Sequence, residues 1–173
     1  MTSADLLADG FGRIRENVSD VLSELNPTQL AHQVAPGANP ISWLVWHLSR
    51  VQDDHVGKAF GAEQVWTAGR WAERFGLPPG TMDIGYGHTA AQVAEVGTAI
   101  ASAELLSEYH EATYAQTLKL IAEVTDADLP RIVDTRFTPP VTLGVRLVSV
   151  LDDDMQHAGQ AAYVRGLILR AGV

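Results

Sequence analysis

The strongest constraint on the fold lies near the C-terminus. Read at about 100° per residue, Leu143, Val150, His157, Ala161, Val164 and Ile168 fall on one side of a helix. His157 sits inside that apolar stripe, and Asp153, one turn earlier, has nearly the same bearing. A carboxylate and an imidazole on an inward face need a partner, because burying either one unpaired is costly. Two arrangements supply it: a buried Asp–His hydrogen bond, or a divalent cation on which ligands one helical turn apart converge. Spacing alone does not choose between them.

The rest of the chain supplies more helices for this one to pack against. Leu6, Leu7, Phe11, Ile14, Val18, Val21, Leu22 and Leu25 recur at helical spacing behind Ser3 as N-cap, and Asn26-Pro27 ends the run. Thr28 to Val34 reads as a short turn followed by a Pro/Gly loop. Asn39 as N-cap and Pro40 at the first helical position open a second helix to about Phe60. Its stripe is Ile41, Leu44, Val45, Leu48 and Val51, with His47 on the flank and His55 nearer the middle. That bearing makes His55 a hydrogen-bonded core histidine, leaves His47 as easily half exposed as buried, and favours neither as a ligand. A third long helix spans about Ser102 to Val124, and the fourth runs from Val141 or Thr142 to about Arg170.

Residues 61 to 88 form a long connection that holds Trp66, Arg70, Trp71, Arg74 and Phe75. Connections of that length in a compact domain are usually functional or contain short elements. Trp71 to Phe75 reads as one helical turn, and Thr89 and Thr98 are candidate caps of short helical stretches, the first of them Ala90 to Val96. Arg70 and Arg74, four apart, can present guanidinium groups to an anionic substrate, although surface arginines are commoner. Arg136 to Val141 is extended ahead of Pro139 and Pro140. Four long helices, with no repeat or interdomain linker, predict an all-α protein: a four-helix bundle as one domain over residues 1–173.

Composition narrows the chemistry. The chain is 46% hydrophobic and 19% charged with a net charge of −9, which disfavours a phosphate backbone as partner, so nucleic acid is not expected. With no cysteine, any metal site uses imidazole and carboxylate, and any thiol chemistry takes its thiol from outside. The N-terminus lacks a signal-peptide pattern and no apolar run approaches a membrane span, so the cytoplasm is the expected location and no membrane partner is expected.

Asn39-Pro40-Ile41-Ser42-Trp43-Leu44-Val45-Trp46-His47-Leu48, followed far downstream by Asp153-x-x-x-His157-Ala158-Gly159-Gln160, resembles the DinB-like superfamily. That superfamily includes YfiT-like metal-dependent hydrolases and mycothiol- and bacillithiol-dependent transferases. The resemblance covers the whole chain in helix order and implies an up-down-down-up bundle with three histidines on one metal. Carried over by position, the ligands fall on His47, Asp153 and His157, with aspartate where the family has its middle histidine.

Asp154 and His55 are the alternative carboxylate and imidazole. The donor set fits zinc, nickel, iron or manganese. The resemblance implies an S-transferase using a mycothiol-type thiol, or a hydrolase, acting on a small electrophile. The other reading is a non-catalytic, stress-associated small-molecule-binding or structural bundle with a degenerate site. Trp43 and Trp46 are candidate pocket walls, Gln160 and Tyr163 candidate ligand or supporting contacts, and a spare apolar face is compatible with a homodimer.

Overall fold

Helical periodicity becomes helices almost where the sequence places them. The computed structural model describes residues Met1–Val173. Its elements are α1 (Ser3–Leu22), α2 (Pro27–Leu30), α3 (Ile41–Phe60), α4 (Val65–Ala68), α5 (Trp71–Arg74), α6 (Ala90–Ala99), α7 (Ala103–Ile121), β1 (Ile132–Asp134), β2 (Val141–Thr142) and α8 (Leu143–Ala171). The expected all-α class holds. The two short strands are a correction: Ile132 pairs with Thr142 and Asp134 with Val141, so part of the expected turn and extended segment closes as a small hairpin.

Several boundaries also move, each for a local reason. Thr2 rather than Ser3 caps α1, its hydroxyl accepting from the Asp5 amide while the Asp5 carboxylate accepts from the Thr2 amide, a capping box. Helix α1 stops at Leu22, yet Leu25 stays in the core. Pro40, in extended conformation, is the N-cap of α3, so the helix starts one residue later than Asn39 would set it. Gly61, left-handed at φ 65°, ends it. Thr89, not Thr98, caps α6.

Four long helices pack around one continuous hydrophobic core. Gly10 lies against Leu151, and Arg165 donates to the Ser23 carbonyl, so α1 and α8 run parallel. Contacts of Ser3 with Asp126 and of Arg15 with Glu111 set α7 antiparallel to α1. Ser49 with His110 and Gln52 with Thr117 set α3 parallel to α7. The order is up-down-down-up, with α3 antiparallel to α8 across the most extensive helix contact.

Helix α3 is buried nearly all round, including Ser49, Arg50, Gln52, Asp53 and Asp54. Buried polar groups generally need partners: α7 supplies those of Ser49 and Gln52, and the long connection supplies most of those of Arg50 and Asp53. The Arg50 guanidinium donates to the Gln64 side chain (3.0 Å), the Tyr109 hydroxyl (3.1 Å) and the Asp83 carbonyl (3.1 Å), and lies 4.5 Å from the Trp66 ring centroid. Asp53 accepts from the Val65 and Trp66 amides and from Tyr109. Burial pushes its carboxyl up, and these donors with Arg50 oppose the shift.

His110 is fully buried between α3 and α7, with Nδ1 against the Ser49 hydroxyl and Nε2 unpartnered. Burial lowers its pKa from 6.5 to about 4. A depressed imidazole pKa favours the folded state while the ring is neutral, so that stability is complete above pH 6.5 and is lost as pH falls towards 4. The His110 contribution, read in urea unfolding of metal-free protein as the difference between parent and His110→Phe, is expected to fall by about 3 kcal/mol across that window. His110→Phe should flatten the slope.

Candidate metal site

The antiparallel contact of α3 with α8 brings His47 opposite Asp153 and His157. One ligand-type atom from each of the three lies within 4.8 Å of the others. On α8, His157 Nε2 is 3.8 Å from Asp153 Oδ1, and the His47 and His157 rings meet edge to face at 4.8 Å between centroids. The Asp153–His157 contact is too long for a hydrogen bond, so the simple buried pair is not formed.

Each imidazole is oriented through its other nitrogen. His47 Nδ1–H donates to the Ile84 carbonyl, which leaves Nε2 with the free lone pair. His157 Nδ1 faces the Gln160 amide oxygen at 3.1 Å, again leaving Nε2. Burial lowers the His47 pKa, the His157 and His88 rings add to that, and the Ile84 carbonyl and Asp153 oppose it. The net direction keeps His47 as the neutral imidazole that coordination requires. Asp153 Oδ2 is shielded from solvent and has no hydrogen-bond partner.

These features fit a divalent cation. Atoms no more than 4.8 Å apart always have a common point within about 2.8 Å of all three. Small side-chain rotations bring that to the roughly 2.0–2.2 Å of imidazole and carboxylate ligation. His47, Asp153 and His157 would hold such a cation through two imidazoles and one carboxylate, a donor set that suits a catalytic rather than a closed structural site.

The connection between α5 and α6 forms the roof. Trp43 stacks on His47 at 4.6 Å and donates its indole N–H to His88 Nδ1 (3.2 Å). His88 Nε2–H in turn donates to Asp83 Oδ2 (2.5 Å), whose other oxygen accepts the Gly85 amide (2.8 Å). Burial raises the Asp83 carboxyl, but His88 and the Gly85 amide outweigh it and hold the group below the usual range. Gly85 has φ +85°, and a Cβ there would stand 2.8 Å from His47 Nδ1 and 3.0 Å from both Trp43 and Trp46.

The structure departs from the sequence expectations in particular places. His47 is 5% exposed, not half exposed, whereas His55 is partly solvated and pairs with Asp54 at 3.0 Å. Asp154 is fully buried with both oxygens unpartnered, and lies outside the group of three. Burial, with Asp153 beside it, pushes its carboxyl well up. Trp46 is buried, and walls a cavity of about 370 Å³ together with Asp83 and His88.

Arg70 is paired with Glu73, while Arg74 is paired with Glu108 and stacked on Trp71; Tyr163 is exposed. His88, Asp83 and the Ile84 carbonyl went unforeseen. Gly85 and Gly87, on either side of Tyr86, were the only signal, and they mark a turn without saying what it covers.

Comparison with known proteins follows the same lines. The family described as the DinB superfamily matches residues 11–161. A crystal structure described as the conserved protein of locus from Enterococcus faecalis is 32% identical, covers 98% of this chain and 98% of its own, and superposes with a TM-score of 0.87. No curated protein matches.

Gly85→Ala forces a side chain into left-handed backbone and against three rings. The expected cost is about 1–3 kcal/mol of unfolding free energy, measured in urea. The amide resonances of Trp43 and His47 should shift with it.

Proposed function

The chain belongs to the DinB superfamily, and we propose that it is a divalent-metal-dependent enzyme, most specifically an S-transferase that joins a mycothiol-type low-molecular-weight thiol to a small electrophile, with hydrolysis as the neighbouring chemistry. The observation that carries this reading is the meeting of His47, Asp153 and His157 from two distant segments, with one ligand-type atom of each within 4.8 Å of the others. A divalent cation held by His47, Asp153 and His157 would supply Lewis acidity, which would make water or an external thiol easier to deprotonate.

The roles of the side chains follow from their contacts. His47, Asp153 and His157 are the ligands. The Ile84 carbonyl and Gln160 fix the tautomers and ring orientations of the two histidines, as outer partners of metal-bound imidazoles do. Trp43 covers His47 on one face and excludes water from that side. Aspartate in place of a third histidine lowers the charge of the loaded site by one, which makes a bound water or thiol less acidic than three neutral imidazoles would. The chain contains no cysteine, so the nucleophilic sulfur comes from a co-substrate.

Purified without a histidine tag and analysed by elemental mass spectrometry, the protein is expected to carry about one zinc, nickel, iron or manganese per chain. His157→Ala should lower metal affinity by more than about a hundredfold, since loss of outer partners alone costs 10–100-fold. A variant that keeps full metal content removes His157 from the ligand set. Gln160→Leu should fall in that milder 10–100-fold range while leaving the fold intact. If the loaded protein conjugates monochlorobimane only when a low-molecular-weight thiol is added, transfer is supported over hydrolysis.

A further inference from the structure

Eight residues along α3 from His47, about 12 Å down its axis, a second cavity opens between α3, the β1–β2 hairpin and the first turn of α8. Its volume is about 240 Å³, and Lys58, Arg136, Arg146, His55 and Asp134 line it. Three permanent cations face two carboxylates there. Asp134 pairs with Arg136 (2.8 Å) and Arg146 (2.9 Å), and Asp54 holds Lys58 (2.8 Å) and His55 (3.0 Å). One positive charge is left over in a protein whose total is −9.

Donors are in excess as well. Lys58 gives Asp54 one of its three N–H groups, and Arg146 gives Asp134 one of its five. Helix α8 has no acidic residue in its first turn and carries Arg146 there. A cation at the positive end of a helix dipole is unfavourable unless an anion offsets it. Asp134 does part of this, but it is shared with Arg136.

We propose that this cavity binds a phosphate-class oxyanion, free or as the phosphate group of a small molecule, held by the Arg146 fork and the Lys58 ammonium. Planar guanidinium donors and a compact ammonium lining one cavity are the combination that recognises phosphate oxygens. Its residues are separate from His47, Asp153 and His157, so the site stands or falls independently of the metal reading.

The test is a ¹⁵N-resolved NMR titration of the full chain, stripped of metal on a chelating resin, with inorganic phosphate against sodium chloride at matched ionic strength. Phosphate should give saturable shifts confined to residues 55–59 and 132–146, with 47, 153 and 157 unmoved. Lys58→Gln leaves Asp134 paired and is expected to weaken binding about tenfold, the size of one charge-assisted hydrogen bond. Arg13→Gln, which removes an exposed Asp9 partner, should bind as the parent does. Phosphate shifts that track chloride without saturating, saturable shifts elsewhere, or an unchanged affinity in Lys58→Gln would overturn the proposal.

Discussion

A guanidinium with no access to water must find acceptors from the protein, and Arg50 in the middle of α3 is in that position. Few of its partners come from its own helix. The Gln64 side chain and the carbonyls of Met82 and Asp83 all belong to the connection that leaves α3 and returns over it. Satisfying this one cation therefore draws residues 82–84 down onto α3. That places the Ile84 carbonyl where His47 Nδ1–H can reach it. The Arg50–Asp53 ion pair lies within α3, but each hydrogen bond from a charged group to a neutral acceptor contributes about 1.5–3 kcal/mol, so the connection is anchored by more than its own packing.

The candidate site inherits its order from that anchor on one side and from helical periodicity on the other. Asp153 and His157 are fixed relative to each other because they are one turn apart on a 29-residue helix. His47 is fixed relative to them by the α3–α8 contact and by Ile84. Each of the two histidines spends one nitrogen on an oxygen acceptor and turns the other inward. The unpartnered Asp153 oxygen would cost about 1–3 kcal/mol as a bare desolvated acceptor. A cation converts that cost into ligation, which is why the geometry favours metal over a structural Asp–His pair.

Much of this was legible in the sequence because it depends on period. The α8 stripe, the four long helices and the inward bearing of Asp153 and His157 follow from 3.6-residue spacing. Resemblance, not spacing, singled out His47. Periodicity even misled there, since it placed His55 deeper than His47. Helix α3 is covered on almost every side, so stripe position says little about burial, and only tertiary contacts from the connection decide it. The same holds for Asp154, whose neighbour Asp153 faces the histidines while it turns into the core. The β1–β2 pairing and the Asp83–His88–Trp43 chain rest on contacts between residues 5 to 45 positions apart, with at least one partner outside the helices, where no period exists to be read.

The central claim is that side chains of α3 and α8 share one cation. X-ray absorption at the metal edge of the zinc-loaded protein tests it without reference to activity. The account predicts a four-coordinate spectrum with two imidazoles, one further oxygen ligand from carboxylate and one from solvent at about 2.0–2.2 Å, and no sulfur until a thiol is added. A six-coordinate shell of oxygens without imidazole scattering would contradict it.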